Sequence, residues 1–181
     1  MDRQPLLDLL ERYGTRHPDE RCMVARFRDF VSENPLCFRR SLLQGHVTGS
    51  AWLVDRSRSR VLLTHHRKLD IWVQLGGHAD GETDVLRVAL REAREESGLA
   101  RVRPLSEEIF DVDIHEIPAR EHEPAHLHYD VRFALECFGD ERFSVSDESH
   151  ALEWVAIYRL PERTREESML RMMRKWLATD R

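Results

Sequence analysis

The stretch REAREESGL, residues 91–99, places three glutamates within five positions and then reaches a glycine. On a helix, Glu92, Glu95 and Glu96 are spaced i, i+3 and i+4, so their carboxylates share one face with Cβ atoms roughly 5–6 Å apart. Like charges at that spacing destabilise a helix, and the helix dipole disfavours anions in its last turn. Such crowding is tolerable where salt bridges, for example Arg91 with Glu95, or bound cations offset the repulsion.

A glycine pair precedes this acidic helix and changes its interpretation. Gly76 and Gly77 follow an apolar strand pattern, and a glycine pair lets the backbone approach a ligand closely. Three carboxylates and a loop carbonyl form an all-oxygen set, which suits Mg²⁺ or Mn²⁺. The residues therefore favour a divalent metal site, while a solvated, salt-bridged helix face is the alternative.

Apolar periodicity around the acidic helix predicts an α/β fold with a mixed sheet between helices. Helical spacing runs from about residue 84 to 97, and Gly98 stands where a terminating glycine belongs. A C-terminal helix is predicted over 161–177, with Pro161 at its entry. Strands are predicted before the glycine pair and over residues 46–55, 60–66, 107–117, 125–137 and 153–160.

The N-terminal residues 1–44 carry two helical patterns, and Pro35 ends the second. We predict a helical extension over 1–44 that packs on a main domain over 45–181. The extension is interpreted as a cover for that domain. A substrate lid or the contact surface of a homodimer is the functional alternative.

Composition narrows the function classes. The formal net charge is −5 and no basic block occurs, so a nucleic acid partner is not expected. No apolar run has the length of a membrane-spanning helix, so no membrane association is expected. The chain has three cysteines, an odd number, and they are widely spaced without a metal-binding pattern. This arrangement is typical of reduced thiols in a cytoplasmic protein.

Residues 77–99, GHADGETDVLRVALREAREESGL, resemble the Nudix box. The family pattern is G-x5-E-x7-R-E-U-x-E-E-x-G-U, in which U is a bulky aliphatic residue. The second half matches from Arg91 to Leu99, although Ala93 is small for its position. The first glutamate departs from the pattern, because Thr83 occupies its place and is flanked by Glu82 and Asp84. Glu82 is the candidate to fill that role.

The resemblance implies an α/β/α sandwich and a Mg²⁺-dependent pyrophosphohydrolase, in which Mn²⁺ can substitute. Its substrate would be a small molecule, a nucleoside diphosphate linked to another moiety. Glu92 and Glu96 would be the principal metal ligands, with Glu95 and the Gly76 carbonyl beside them. Arg91 would hold a glutamate in its ligating conformation. Three residues are candidates for the general base: Glu92, Glu95 and Glu148.

Three further residues are candidates for substrate binding. His78 follows the glycine pair and is placed to reach a phosphate, with a loop hydrogen bond as the alternative. Lys68 precedes the box strand, and Trp72 offers a ring for stacking on a base. A solvated surface lysine and a core aromatic are the respective alternatives.

Other readings compete with hydrolysis. A catalytically idle Nudix domain that senses a nucleotide metabolite is the main one, but the retained Glu92, Glu95 and Glu96 argue against it. An RNA-decapping role would need a basic groove that the composition lacks. His126 and His128, with His122 nearby, suggest zinc, but a polar strand face is the favoured interpretation.

Overall fold

The computed structural model of the chain describes residues 1–67, 69–119, 124–147 and 149–179. Three residues singled out in the sequence, Lys68, His122 and Glu148, lie outside the described residues.

Within the described residues, eight strands form one mixed sheet. The strands are β1 Gly45–Val54, β2 Arg60–His66, β3 Ile71–Val73, β4 Leu75–His78, β5 Val102–Pro104, β6 Asp111–Ile117, β7 His126–Cys137 and β8 Ser149–Ala156. The strands β1 and β7 run parallel, and the other pairs are antiparallel. The order is β3-β2-β1-β7-β5, while β4 also pairs with β1, β6 with β7 and β8 with β2. The mixed sheet predicted from periodicity is confirmed.

Helices cover both faces of the sheet, as the sandwich prediction requires. The helices are α1 Gln4–Arg16, α2 Arg21–Glu33, α3 Val85–Ser97 and α4 Glu167–Thr179, with short 3-10 helices at Pro18–Glu20 and Ile157–Glu162. Helix α3 contributes Val88 and Ala89 to the core that also holds Val47 of β1. On the opposite face, Trp176 of α4 packs with Trp52 of β1 in a second core cluster.

The N-terminal helices predicted from the sequence are present and share the core of the sheet. Phe27 and Phe30 of α2 are buried, and the Phe30 ring stacks on Tyr129 of β7 with centroids 3.7 Å apart. Full burial of a Phe side chain contributes about 1.5–3 kcal/mol. The division into a 1–44 extension and a 45–181 domain stays a proposal, since one continuous cluster of apolar side chains joins the two parts.

The C-terminal elements differ from the prediction. The strand predicted over 153–160 ends at Ala156, and Ile157–Glu162 forms a 3-10 helix that contains Pro161. Ile157 and Leu160 are both buried, and their spacing of three residues matches the repeat of a 3-10 helix. Helix α4 therefore begins at Glu167 instead of at Pro161.

Two smaller findings complete the fold. The short strand β5, Val102–Pro104, was not predicted; it pairs with the end of β7. None of the helices in the described ranges combines the length and the apolarity that crossing a bilayer requires.

Candidate active site

Helix α3 follows β4 after a loop over residues 79–84 and is fixed at both ends. Asp84 is its N-cap, and the Asp84 carboxylate accepts a hydrogen bond from the Arg87 N–H at 3.1 Å. Gly98 ends the helix with a φ of 70°, and its N–H donates to the Arg94 carbonyl. A side chain would be strained in that left-handed conformation. The two caps hold the register that places the three glutamates.

Glu92 and Glu96 lie against the glycine pair of β4. The Gly76 N–H donates to the Glu96 carboxylate at 3.1 Å. A Cβ atom on Gly77 would lie 2.4 Å from a Glu92 carboxylate oxygen, so only glycine fits there without a shift of Glu92. The Glu92 side chain is 15 % exposed, and Glu96 is 7 % exposed. The structure thus brings two of the predicted metal ligands together at Gly76 and Gly77.

Arg91 connects the acidic face with the strand. Its Nη2 donates to Glu92 Oε1 at 2.6 Å and to the His78 carbonyl at 2.7 Å. Its Nε lies 3.8 Å from a carboxylate oxygen of Glu95. The Glu95 side chain is 64 % exposed, so it is far more open to solvent than Glu92. The contact on which the predicted role of Arg91 depends is present, and the role itself stays a prediction.

Glu82, the candidate for the missing first glutamate, lies at the start of α3. Its Oε1 accepts hydrogen bonds from the Thr83 N–H at 2.9 Å and the Asp84 N–H at 3.1 Å. These backbone bonds, that of Asp84 first, lower the pKa of Glu82. Its Oε2 also lies 3.5 Å from Arg87. The Glu82 carboxylate therefore stabilises the backbone at the start of α3, at the opposite end of the helix from Glu96.

The predicted substrate-binding residues are separated by the structure. The His78 carbonyl contacts Arg91, but side chains alternate along β4, so its ring and the Gly77 position beside Glu92 lie on opposite faces. Trp72 stacks on His65 with ring centroids 5.0 Å apart and packs against the second core cluster. No hydrogen bond or ring contact among the described residues joins Trp72 to Glu92. Lys68 and Glu148 lie outside the described residues.

A buried network of charges spans β6, β7 and α4, and the sequence pattern did not predict it. Arg132 is 2 % exposed, and its guanidinium lies 3.1 Å from Asp111, 3.3 Å from Asp113 and 2.7 Å from Asp130. Arg171 of α4 lies 2.8 Å from Asp111 and 3.1 Å from Asp113. Alternating charges at 111 and 113 and at 130 and 132 were visible, but their pairing depends on the register of β6 with β7.

The arginines keep the network ionised. Burial alone would raise the pKa of Asp111, but hydrogen bonds from Arg171 and the charges of Arg132, Arg171 and Lys175 hold it below its usual value. Burial acts the same way on Asp113, where a hydrogen bond from His115 and the two arginine charges lower the pKa. Buried carboxylates paired in this way stay charged and take a fixed geometry.

Five histidines cluster on the same face of the sheet as this network, and the sequence pattern did not predict the cluster. Their rings pack pairwise with centroids between 4.9 and 5.5 Å apart: His46, His78, His115, His126 and His128. His46 is 2 % exposed, and neither of its ring nitrogens has a hydrogen-bond partner among the described residues. A buried polar group left unsatisfied costs about 1–3 kcal/mol.

Two of these rings, His46 and His128, have a lowered pKa and are therefore neutral at neutral pH. Burial, and after it the proximity of His78, lowers the pKa of His46 to about 4. The Leu42 carbonyl acts in the opposite direction, although it lies outside hydrogen-bonding geometry. Burial and then His78 lower the pKa of His128 to about 2.

The histidine grouping differs from the one considered in the sequence. The zinc alternative combined His126 and His128 with His122, which lies outside the described residues. The structure instead brings His46 and His78 to His128, since the parallel pairing of β1 and β7 aligns His46 with His128. This face of β7 is polar, as expected from the sequence, and it is buried at His126.

Comparison with known proteins identifies the family behind this arrangement. The family model of the NUDIX domain matches residues 45–176, which is most of the chain. No curated protein matches the chain. The matched segment begins at the proposed boundary between the N-terminal helices and the rest of the chain.

Solved structures share the fold. The chain resembles an Ap4A hydrolase from C. elegans in a binary complex (TM-score 0.60, 15 % identity, 74 % of this chain and 96 % of that chain covered). It also resembles the dihydroneopterin triphosphate pyrophosphohydrolase of E. coli (0.56, 15 %, 74 % and 95 %). A MutT NUDIX hydrolase from Burkholderia pseudomallei is similar as well (0.56, 23 %, 73 % and 98 %). At these identities the likeness shows the fold and nothing finer.

Proposed function

Because this chain belongs to the Nudix family, we propose that it is a Mg²⁺-dependent pyrophosphohydrolase whose substrate is a nucleoside diphosphate linked to another moiety. One observation carries the proposal: the carboxylates of Glu92 and Glu96 are gathered at the Gly76–Gly77 pair. A purely solvated helix face would not require glycines to make room for its carboxylates.

The donors at this place fit a hard divalent cation. Glu92, Glu96 and the more exposed Glu95 supply carboxylate oxygens, and the Gly76 carbonyl is the proposed fourth donor. Oxygen-only sets of this kind suit Mg²⁺, and Mn²⁺ accepts the same ligands. When bound, the ion neutralises phosphate charge and lowers the pKa of coordinated water.

The residues of the chain position the reaction and move a proton. Water attacks a phosphorus of the pyrophosphate, the new P–O bond forms, the bridging P–O bond breaks, and a phosphate leaves. Arg91 orients Glu92 through its 2.6 Å hydrogen bond and fixes β4 through the His78 carbonyl. Glu92, Glu95 and Glu148 remain the candidates for the base that takes the proton from water. Glu95 is the candidate with the most open side chain among those described.

Substrate contacts are proposed for residues on either side of the glycine pair. Lys68 and Trp72 keep this assignment, although the described contacts of Trp72 are those of a core aromatic, and only the backbone of His78 stays beside the acidic face, because its ring lies on the opposite face of β4 from Glu92. The partner is a small molecule, and no nucleic acid or membrane takes part. A homodimer formed through the N-terminal helices is compatible with the proposal. The free thiols of Cys22, Cys37 and Cys137 suggest a reducing cytoplasm.

A hydrolysis screen in which the nucleotide products are separated by chromatography tests the function. Purified protein would be incubated with ADP-ribose, NAD, nucleotide sugars, dinucleoside polyphosphates and oxidised nucleoside triphosphates, each with Mg²⁺, with Mn²⁺ and with a chelator. The proposal expects hydrolysis of one class, lost with chelator and in Glu96→Gln. Silence across the panel, together with nucleotide binding in a thermal-shift assay, would support the idle sensor instead.

A further inference from the structure

Three neighbouring strands bring three imidazole rings together on the face of β4 away from Glu92. His46 comes from β1, His78 from β4 and His128 from β7. The ring centroids are 5.0 Å apart for His46 and His78, 4.9 Å for His46 and His128, and 5.0 Å for His78 and His128. One ring nitrogen of each histidine lies within 4.8 Å of the nitrogens of the other two.

The sheet register creates this triangle. His46 and His128 are direct partners across the parallel β1–β7 pair. His78 pairs with Thr48, which is two residues from His46 and on the same face of β1. The strand pairing therefore fixes the three Cα positions, and only the orientations of the three rings can change.

His46 is the residue that a purely structural role does not explain. It is 2 % exposed, and neither of its ring nitrogens has a hydrogen-bond partner among the described residues. Buried polar side chains in folded proteins are nearly always hydrogen-bonded, so an unsatisfied ring nitrogen that faces two other imidazoles needs a reason. A shared ion would satisfy it.

We propose that His46, His78 and His128 bind one divalent transition-metal ion, with Zn²⁺ as the preferred ion. Imidazole nitrogen is a ligand that zinc favours and magnesium does not. Tetrahedral Zn–N bonds of about 2.0–2.1 Å place ligand nitrogens roughly 3.4 Å apart, so the triangle must close by at most about 1.5 Å on binding. Small ring rotations supply that movement.

The state of the rings suits metal binding. Burial first, and the neighbouring His78 second, lower the pKa of both His46 and His128, so these rings are neutral and keep a lone pair at neutral pH. His126 borders the triangle, with its Nε2 3.3 Å from His128 Nε2. Its Nδ1 donates to the Pro124 carbonyl at 2.9 Å, and such a bond fixes the orientation of a histidine ring beside a metal.

This site is distinct from the acidic face and does not depend on the proposed hydrolysis. The two sites lie on opposite faces of β4, since Gly77 faces Glu92 and the next side chain, His78, faces the histidines. Arg91 is the connection, because it bonds both the His78 carbonyl and Glu92. One site offers nitrogen and the other oxygen, so the two select different ions.

Metal binding to untagged, chelator-treated protein tests the site. Calorimetric titration with Zn²⁺ should give one tight site per chain, and Co²⁺ should give the strong visible absorption of tetrahedral coordination. Loss of residues around a metal typically weakens binding 10- to 100-fold, so His78→Gln and His128→Gln should each weaken Zn²⁺ binding by at least about tenfold. Two matched controls should leave it unchanged: His150→Gln, on an exposed histidine, and Glu96→Gln, on the acidic face.

The same experiment can overturn the proposal. No Zn²⁺ binding by the wild-type chain, or unchanged binding in both histidine variants, would do so. Weakening by Glu96→Gln instead of the histidine variants, with the weak absorption of octahedral Co²⁺, would assign the ion to the acidic face. The half-buried His78 supplies the safer variant if changes at the buried His46 or at His128 prevent folding.

Discussion

Two groups of three carboxylates occur in this molecule, and they are balanced in different ways. The first, called the network group, lies on two strands and consists of the carboxylates of Asp111, Asp113 and Asp130. Three basic side chains contact these carboxylates: Arg132, Arg171 and Lys175. The acidic-face group lies on one helix, and Arg91 is the basic side chain among the described ion pairs of Glu92 and Glu95. The first group is enclosed by the basic side chains that it contacts, and the second lies beside the glycine pair, with the Glu95 side chain 64 % exposed.

That difference separates a structural role from the binding role proposed for the acidic face. A buried carboxylate that already has arginine partners has little affinity left for an ion from solution, and its removal mainly leaves other charges unpaired. Carboxylates gathered beside glycine, with part of their surface open, keep oxygen atoms for a cation. Changes at the acidic face should therefore lower the rate of reaction, and changes in the network should lower the free energy of unfolding.

The largest effect is expected for Glu96→Gln. The variant keeps an oxygen that accepts from the Gly76 N–H but loses the charge. The kcat of the metal-dependent reaction should fall by about 10³-fold, the upper range for loss of one preorganised electrostatic group. The melting temperature should change by only a few degrees. The control is Glu107→Gln, which alters an exposed glutamate elsewhere and should leave kcat unchanged. If Glu96→Gln also kept the wild-type kcat, the site assignment would be refuted.

A large effect on stability, and not primarily on kcat, is expected for Arg132→Met. It removes the fully buried cation that contacts three aspartates, so the free energy of unfolding should fall by about 3 kcal/mol or more. Urea denaturation measures this change. Arg163→Met breaks the half-exposed pair with Glu153 and should cost less than about 1 kcal/mol. Equal losses in the two variants would show that the network is no more than a set of surface pairs.

A smaller effect on catalysis is expected for Gly77→Ala. The added Cβ would lie 2.4 Å from a Glu92 carboxylate oxygen, so Glu92 must move. Misplacement of a functional group by about 1 Å lowers kcat by roughly 10- to 100-fold. Gly14→Ala, where the new Cβ would meet only Val24 at 3.1 Å, is the matched control and should keep full activity. Wild-type kinetics in Gly77→Ala would contradict the proposed contact between Glu92 and the strand.

The smallest effect concerns acid stability. The pKa values of Asp111 and Asp113 are lower in the folded chain than their ordinary value of 3.8. Below pH 3.8 the unfolded chain therefore binds more protons than the folded chain, and the free energy of unfolding falls as the pH falls toward the folded pKa values. Above that window the contribution is complete. Urea midpoints measured down through this range should fall less steeply for Asp113→Asn than for the wild type.

The acidic face could be predicted from the sequence because its determinants are local. Helical spacing, the N-cap at Asp84 and the C-terminal Gly98 act within one helix, and the structure gives α3 at Val85–Ser97. Gly76 was expected at the acidic face as a carbonyl donor to a cation, and the hydrogen bond from its N–H to Glu96 was not predicted. The sequence pattern predicted where the three glutamates and the glycine pair lie. Their catalytic roles stay predictions.

The network and the histidine cluster could not be predicted, because they depend on the register of distant strands. His46 and His128 stand 82 positions apart in the chain and become neighbours only through parallel pairing of β1 and β7. Arg171 reaches Asp111 only after α4 packs on the sheet. A one-residue change in register would turn every one of these side chains to the opposite face.

The most direct test of the account removes one carboxylate from each group and measures Mn²⁺ binding by electron paramagnetic resonance. The comparison uses wild type, Glu96→Gln and Asp113→Asn, each confirmed as folded by circular dichroism. We expect Glu96→Gln to weaken Mn²⁺ binding by at least about tenfold and Asp113→Asn to leave it unchanged. Equal binding in wild type and Glu96→Gln would contradict the account, as would a loss confined to Asp113→Asn.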